Sequence, residues 1–355
     1  MAAAEGMILE ETLGRIRPLD QDAMKKAADR WDAIAHPLHS LGKLEDVIVQ
    51  AAGIQRSDRV DLKPKALITM CADNGVVEEG VTQTGQEVTA QVAENFLSEK
   101  ATAGILCRYS GAQICPIDIG IYRDTKVRNM KVAYGTKNMT KGPAMTREEA
   151  VRALEVGIKV ATEKKDQGFK VLATGEMGIG NTTTSSAVCS VLLDQPVESM
   201  TGRGAGLSSE GLARKISAIH KAIEVNRPDP KDAVDVLAKV GGLDIAGMAG
   251  VFLGGAALGM PVVMDGFISC TAALVAARIC PQAKDYMVAS HVSKEPAAHL
   301  LLEALGKEQF LTCDMCLGEG TGAVMLFPLL DMAQEVYTKM STFEDDDIEA
   351  YTHLK

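Results

Sequence analysis

Four short apolar runs along the chain each end in small, polar or acidic residues close to a glycine. They read ALITMCADNG from residue 66, AQICPIDIG from residue 112, FKVLATGEMG from residue 169 and PVVMDG from residue 261. A continuous apolar run of this length, bounded by a turn signal, is typical of a strand that is buried on both faces. The pattern therefore predicts core strands that stop where polar chemistry begins.

Between these runs lie segments with helical periodicity. In TREEAVRALEVGIKVATEKKDQG, apolar residues recur at intervals of three and four, Thr146 is placed to cap the helix with Glu149 three residues later, and Gly168 marks its end. Strand, glycine turn and helix in alternation predict an α/β fold with a doubly wound, mainly parallel, Rossmann-like sheet. Ligands of such sheets bind beyond the carboxyl ends of the strands, where the acids and glycines of this chain collect.

The alternation is confined to the middle of the chain. Helical patterns without strands occupy the first 60 residues and the segment after residue 330. We therefore expect a small helical domain formed by residues 1–60 and 331–355 and a large α/β domain formed by residues 61–330. The final stretch, EDDDIEAYTHLK, is charged, and we expect it to be frayed.

Composition narrows the class of protein. Lys and Arg total 37 against 47 for Asp and Glu, and no basic block is long enough to follow a nucleic-acid backbone. The first residues lack the basic and apolar regions of a signal peptide, and the most apolar window, 251–277, is interrupted by Pro261 and Asp265. These features predict a soluble cytoplasmic protein that binds neither nucleic acid nor membranes.

Eight cysteines are scattered, mostly inside apolar runs, as expected for reduced, buried thiols. Only Cys313 and Cys316 form a CxxC pair, and a single pair without further ligands is weak evidence for zinc or redox chemistry. We predict neither a metal nor a cofactor, and the role of the pair stays open.

The segment GEMGIGNTTTSSAV, residues 175–188, predicts an anion site. A strand that enters a glycine turn and then a Thr-capped helix directs backbone N–H groups at one spot, where phosphate is the natural ligand. The segment is neither GxGxxG nor a P-loop, because no Lys follows the glycines. A purely structural turn is an equally good interpretation of this segment by itself.

A second glycine cluster, TGRGAGLSSEGLARK at residues 201–215, also leads into a helix, with Ser208 or Ser209 as its cap. Lys215 lies within that helix and is placed to neutralise an anion. By itself Lys215 fits a solvated helix face as well, but two glycine-rich anion candidates in one chain strengthen both.

Glu176 and Glu319 are acids inside glycine turns. A carboxylate in a concave, poorly hydrated turn tends to have a raised pKa, which suits a general base near neutrality. A glutamate that only holds its own turn through backbone hydrogen bonds is the structural alternative for each. Asp73, at the end of a predicted strand, and His291 are weaker candidates, because a turn-capping Asp and a structural His are common.

In combination these segments are recognisable. ADNGVVEEGVTQTGQEVTAQ, GEMGIGNTT, GRGAGLSSEGLARK, KVGGLDIAGMAGVFLGGA, PVVMDGFISCTAALVA, SHVSKEP and LGEGTGA together resemble the nicotinate-nucleotide:dimethylbenzimidazole phosphoribosyltransferase family of cobamide synthesis. The resemblance runs in order from about residue 40 to about residue 343. It implies a homodimer with a Rossmann-like large domain and a small helical domain, and a transfer of phosphoribose from nicotinate mononucleotide to an aromatic base that gives an α-ribazole phosphate.

The resemblance also implies roles for particular residues. Glu319 would be the general base, assisted by Glu176, and the glycines beside Glu319 would let a flat aromatic ring lie against the backbone. The segment 81–92, including Thr84, Gln91 and Val92, would line the pocket for the acceptor base. The phosphate and ribose of the nucleotide would be surrounded by Gly178, Gly180, Asn181, Thr182, Gly202, Gly204, Lys215 and Ser293.

The acceptor and the activity leave alternatives open. Some relatives act on phenol or p-cresol as pairs of unlike subunits, so a heterodimer with a paralogue and an O-linked product are alternatives to a homodimer that uses 5,6-dimethylbenzimidazole. A non-catalytic nucleotide-binding partner would be expected to lack a turn glutamate or a phosphate glycine, and this chain keeps them. A hydrolase would need the phosphate site but no acceptor pocket. Asn74 stands where many relatives have His.

Overall fold

The structure is a computed structural model that describes residues 6–98 and 100–352. Its sheet has six strands in the spatial order β3-β2-β1-β4-β5-β6, all paired in parallel. The strands are β1 (Lys65–Ala72), β2 (Gln113–Gly120), β3 (Arg128–Asn129), β4 (Val171–Met177), β5 (Val262–Met264) and β6 (Met287–Ala289). The order reverses between β1 and β4, so a ligand crevice is expected beyond their carboxyl ends.

The helices surround this sheet. They are α1 (Met7–Leu13), α2 (Gln21–Ala33), α3 (Lys43–Gln55), α4 (Glu87–Leu97), α5 (Thr102–Ser110), α6 (Arg147–Asp166), α7 (Asn181–Leu193), α8 (Val197–Met200), α9 (Ser209–Asn226), α10 (Ala233–Val240), α11 (Leu243–Ala257), α12 (Phe267–Ile279), α13 (Ala298–Leu305) and α14 (Thr321–Lys339). Short 3₁₀ helices span Gly75–Glu79 and Pro281–Tyr286. The predicted doubly wound α/β fold is confirmed.

All four strands predicted from apolar runs are present as β1, β2, β4 and β5. The sequence did not predict β3 or β6, which have two and three residues. β3 lies in a charged stretch, VRNMK, and β6 lies in DYMVASH, where no glycine turn follows the apolar residues, so neither shows the pattern used to predict the other strands.

Successive residues of β1 contact opposite faces of the sheet. Ile68 and Met70 belong to a core with α6, α11 and α12, whereas Leu67 and Cys71 belong to a core with α3, α5 and α14. Every residue of β1 is buried, as expected for a central parallel strand with helices on both sides.

Two predicted helix caps are confirmed and one is wrong. Thr146 and Glu149 form a capping box at the start of α6, and the Ser208 side chain accepts from the backbone N–H of Gly211 at the start of α9. Helix α7, however, is not capped by Thr: its N-cap is Gly180, with φ of +93°, and no side chain accepts there. The left-handed conformation needed at this position favours glycine over threonine.

The chain ends pack against one another. The rings of Trp31 on α2 and Tyr337 on α14 lie 5.2 Å apart between centroids, and the Arg30 guanidinium donates to the carbonyl of Met340. Helix α14 continues without a break through residue 330. The division into two domains at residues 60 and 330 stays a prediction. Among the described residues, no helix combines the length and apolar character that crossing a bilayer requires.

Candidate active site

A cavity of about 340 Å³ opens beyond the carboxyl ends of β4 and β5. Most of the residues expected to bind the nucleotide or the acceptor line it. These are Thr84, Val92, Glu176, Gly178, Gly180, Asn181, Thr182, Gly204, Ser293 and Glu319. Residues separated by more than 200 positions in sequence therefore share one space.

Three of the expected residues do not line this cavity. Gly202 and Lys215 lie directly behind its wall, where the Lys215 ammonium donates to the Gly202 carbonyl at 3.1 Å. Gln91 is solvent-exposed on α4, whereas Ala90 and Ala93 on the same helix are buried and Val92 reaches the cavity. Each step along a helix rotates the side chain by about 100°, so Gln91 points away from the direction taken by its neighbour.

The turn that carries Glu319 has three consecutive residues in the left-handed region. Gly318, Glu319 and Gly320 have φ of 87°, 62° and 88°. This conformation is unfavourable for a residue with a side chain, and such strain is common at functional sites. The backbone strain at Glu319 therefore has to be held by surrounding contacts.

Glycines permit those contacts because the turn packs tightly on β4. A Cβ at Gly175 would lie 2.5 Å from the Glu319 carbonyl oxygen, one at Gly318 would collide with Oε1 of Glu176, and one at Gly320 would collide with Leu67. These flanking glycines make room for the protein's own strand and side chains. That an aromatic ring lies against the same turn stays a prediction.

Asp265, the first residue after β5, anchors the same turn. Its Oδ2 accepts from the N–H of Gly320 at 3.1 Å, and its Oδ1 accepts from Gly322 at 2.8 Å and Ala323 at 3.2 Å. Burial raises the pKa of this carboxyl above its ordinary value. The sequence places this acid directly after a strand but does not reveal its role, because its partners lie more than 50 residues away.

The Glu319 side chain is half-buried at the cavity wall. Its Oε2 accepts from the backbone N–H of Ala103 in the first turn of α5, at 3.3 Å. Burial raises the pKa of the Glu319 carboxyl, and that hydrogen bond opposes the rise. A partly desolvated carboxylate with this pKa shift is suited to accept a proton near neutrality.

Glu176 is 7% exposed and accepts from the N–H of Glu319 at 3.3 Å. The side-chain amide of Asn181 donates one hydrogen bond to Glu176 and another to Oδ2 of Asp244, at 2.9 Å. Burial, followed by repulsion from Asp244, raises the pKa of Glu176 to about 8. Burial likewise raises the pKa of Asp244 to about 6. Glu176 is therefore mainly protonated at neutral pH, unlike a free glutamate.

Lys215 is fully buried beneath the wall formed by the glycine turn and the start of α7. Its ammonium donates to Oγ1 of Thr182 at 2.8 Å, and burial lowers its pKa to about 8. Glu295, which lines the cavity, is the nearby acid that favours the charged ammonium. Lys215 is therefore a positive charge held next to a hydroxyl that faces the cavity.

The weaker sequence candidates have structural partners. Asp73 does not line the cavity, and its Oδ2 accepts from the N–H of Tyr122 at 2.9 Å, so it ties together the ends of β1 and β2. His291 lines the cavity, but its Nδ1 lies 3.0 Å from Oγ of Ser290, and its ring packs against Gly322. Cys313 and Cys316 are both exposed free thiols, and Cys316 is at the cavity wall.

One side of the cavity is closed by residues 81–84. The Gln83 amide donates to the carbonyl of Ala205 at 3.3 Å, which joins this segment to the second glycine cluster. Apolar side chains also line the cavity, and they include Val81, Val92, Met177, Leu207, Phe267 and Leu317. The cavity wall thus combines apolar side chains, the glycine turn before Thr182 and the carboxyl of Glu319.

Known proteins are similar to this chain in sequence and fold. A protein-family model described as a phosphoribosyltransferase matches residues 16–348 of this chain. The chain is 49% identical over 347 residues to nicotinate-nucleotide–dimethylbenzimidazole phosphoribosyltransferase of Acetivibrio thermocellus, and the match covers 97% of this chain and 99% of the relative. It is 46% identical to the protein of the same name from Dehalococcoides mccartyi strain BAV1, over 95% of this chain and 97% of the relative.

A solved structure agrees with these matches. The crystal structure of CobT from Thermus thermophilus has a TM-score of 0.89 and 38% identity, and the match covers 93% of this chain and all of the other. Sequence and fold therefore agree over nearly the whole length, and the chain belongs to the nicotinate-nucleotide–dimethylbenzimidazole phosphoribosyltransferase family.

Proposed function

We propose that this enzyme transfers the 5-phosphoribosyl group of nicotinate mononucleotide to an aromatic nitrogenous base such as 5,6-dimethylbenzimidazole. The products are nicotinate and an α-ribazole 5′-phosphate, for assembly of the cobamide nucleotide loop. The observation that carries the proposal is the placement of Glu319 in the same cavity as the glycine turn and Thr182, behind which Lys215 is buried. The names of the relatives point to the same reaction.

The chemistry requires one proton acceptor. The bond between C1′ and the pyridinium nitrogen breaks with its electron pair on that nitrogen, so nicotinate leaves as a neutral ring and needs no acid. The imine nitrogen of the benzimidazole forms the new bond to C1′ from the opposite face, which converts a β linkage into an α linkage. The remaining ring N–H then loses its proton to the Glu319 carboxylate, and atoms and charges balance.

The sugar carbon passes through an oxocarbenium-like state, as in glycoside transfer. We assign the phosphate to the turn 178–180, Thr182 and Gly204, with Lys215 supplying positive charge through Thr182. Ser293 faces the same space. Fixing the phosphate there holds C1′ in place relative to the incoming base, and this orientation contributes to the rate.

We assign the acceptor base to the apolar side chains of the cavity wall. Thr84 and Val92 are assigned to it because they line the wall, and the exposed position of Gln91 gives no geometric support for a contact with the base in this chain. Glu176 is assigned to support Glu319, since its carboxyl binds the N–H of that residue. We also keep the homodimer and the cytoplasmic location as part of this proposal.

The decisive experiment is incubation of the full chain with nicotinate mononucleotide and an equimolar mixture of 5,6-dimethylbenzimidazole, adenine, phenol and p-cresol, followed by mass spectrometry of the ribotides. We expect the benzimidazole ribotide to dominate and nicotinate to appear in equal amount. An O-linked product would assign the phenolic alternative instead. Release of ribose 5-phosphate with no ribotide would indicate hydrolysis, and absence of any product would refute the proposed transfer.

A further inference from the structure

A second cavity, of about 580 Å³, lies at the other end of the sheet. Its wall includes Asp61 and Lys170, which precede β1 and β4, Gly259, which precedes β5, and Tyr286, which precedes β6. In a parallel sheet these positions mark the amino edge, opposite to the edge that carries the candidate active site. The cavity is therefore separate from the one assigned to catalysis.

The wall of this cavity is strongly basic in a chain whose net charge is −10. One acid, Asp61, faces six cations, which are Arg15, Arg17, Arg56, Arg59, Lys165 and Lys170. The cations come from the loop after α1, the end of α3 and the end of α6, so no single helix face accounts for them.

Among the described residues, only half of these cations have an acidic partner. Arg15 lies 3.8 Å from Glu11, Arg56 lies 3.0 Å from Asp20, and Lys170 lies 3.7 Å from Asp61. Within residues 6–98 and 100–352, the structure gives no carboxylate within 4.0 Å of the side chains of Arg17, Arg59 or Lys165. Lys165 and Lys170 repel each other, and this repulsion adds to the effect of burial in lowering the pKa of Lys165.

Helix dipoles do not balance this charge. Helices α3, α6 and α11 all end at this edge, and each C-terminus carries a partial charge of about −0.5, so the three together supply about −1.5. The three cations without a carboxylate partner exceed that value, and dipole effects are weak at solvent-exposed positions. The positive charge left without compensation therefore lies between about +1.5 and +3. A bound anion of two or three negative charges would neutralise it.

The remaining wall restricts the shape of that anion. Ile54, Ala256, Ala257 and Leu258 form an apolar side, and the cavity volume falls within the range of small-molecule sites. The Tyr286 hydroxyl donates a hydrogen bond to the carbonyl of Arg17 at 2.7 Å, and this bond holds the loop bearing Arg17 beside the cavity. A ring on the apolar side and phosphates among the cations would use both surfaces.

We infer that this amino-edge cavity binds a small organic phosphate of the nucleoside diphosphate class, with its phosphates at Arg17, Arg59 and Lys165 and its base on the apolar side formed by Ile54 and residues 256–258. The inference is independent of the acceptor used in catalysis. It does not require the chain to be active, because binding alone is measured.

The test is isothermal titration of the full chain with ADP at about 0.15 M salt, in the presence of saturating nicotinate mononucleotide to fill the catalytic cavity. We expect one binding site per chain and at least tenfold weaker binding in the combined variant Arg17→Ala, Arg59→Ala, Lys165→Ala. The matched control is Lys126→Ala, Lys221→Ala, Lys231→Ala, which removes the same charge from exposed positions outside both cavities and should bind within about twofold of wild type.

Three results would each overturn the inference. They are equal weakening of ADP binding in both triple variants, no binding of ADP to the wild-type chain, and binding that disappears when nicotinate mononucleotide is added. If the triple variant does not fold, the single variants Arg59→Gln and Lys165→Gln replace it, and each should weaken ADP binding at least threefold. Inorganic pyrophosphate serves as a second probe. It should bind more weakly than ADP, and equal affinity would refute the assignment of the base to the apolar side.

Discussion

Oε1 of Glu176 accepts a hydrogen bond from the backbone N–H of Glu319, 3.3 Å away. The two acids that sequence analysis singled out are thus linked through the backbone of one and the side chain of the other. Glu176 is buried, and its position helps to hold a turn in which Glu319 adopts a left-handed conformation. We therefore regard Glu176 as a positioning residue for the proposed base.

This relationship predicts different outcomes for two substitutions of Glu176. Glu176→Gln keeps an oxygen that can accept from Glu319, so we expect kcat to fall by less than about tenfold. Glu176→Ala leaves the N–H of Glu319 without its partner, and we expect a loss of about 10²-fold in kcat. Steady-state kinetics at fixed saturating nucleotide measures both. Equal losses in the two variants would show that the carboxyl group of Glu176, and not only an acceptor oxygen, is required.

Glu319 is predicted to act on the acceptor and not on the nucleotide. Glu319→Gln keeps the size of the side chain but cannot take a proton, so kcat should fall about 10²- to 10⁴-fold, the range for loss of a general base. The affinity for nicotinate mononucleotide, measured by titration, should stay within about threefold of wild type. Near-native turnover in this variant would remove the proposed role.

The raised pKa of Glu176 predicts a pH-dependent stability. Because its pKa is about 8 in the folded chain against 4.5 ordinarily, the folded state binds the proton more tightly than the unfolded state. The resulting stabilisation is complete below the unfolded pKa and is lost as pH rises through about 8. Raising the pH from about 7 to about 9 should therefore lower the Tm of wild type more than the Tm of Glu176→Gln, as measured by thermal unfolding.

Comparing the two proteins at each pH removes the contribution of Lys215, which has the opposite sign. Its folded pKa is lowered to about 8, so the unfolded state binds more protons above that pH and stability rises. A Tm difference between wild type and Glu176→Gln that does not change with pH would contradict the assignment of a protonated Glu176.

The parts of the site whose signals are local can be predicted from the sequence. The strands β1, β2, β4 and β5, and the turns bearing Glu176 and Glu319, each follow from an apolar run next to glycine. The capping box at Thr146 follows from two residues three positions apart. Such signals require no knowledge of which distant segments meet.

The remaining features depend on contacts between distant segments. Asp265 is recognisable as an anchor only when the N–H groups of Gly320, Gly322 and Ala323 are placed beside it. The shared Asn181 amide between Glu176 and Asp244 likewise joins residues more than 60 positions apart. The same limit explains why the close packing of the glycines around Glu319 was not predicted from the sequence.

Lys215 predicts the pH dependence of nucleotide binding. With a pKa of about 8, the buried ammonium loses its charge as pH rises through that value. The attraction of the proposed phosphate site for a phosphate dianion then weakens. The KM for nicotinate mononucleotide should therefore rise above about pH 8 in wild type, whereas Lys215→Met should have a high KM that changes little with pH. A wild-type KM that is constant from about pH 7 to pH 9 would count against a role for Lys215 in phosphate binding.

Gly175→Ala tests whether close packing of the Glu319 turn on β4 is needed for activity. The added Cβ would lie 2.5 Å from the carbonyl oxygen of Glu319, so the turn must shift by several tenths of an ångström or more. Because catalysis depends on a well-placed acceptor oxygen, we expect kcat to fall at least tenfold while the chain remains folded. Gly14→Ala is the matched control, since its Cβ would meet no atom closer than 3.6 Å and its φ is −65°. Kinetics and thermal unfolding of both variants separate the effects: a Gly175→Ala protein with wild-type kcat would show that the turn tolerates displacement, and that the close contact with β4 serves stability alone.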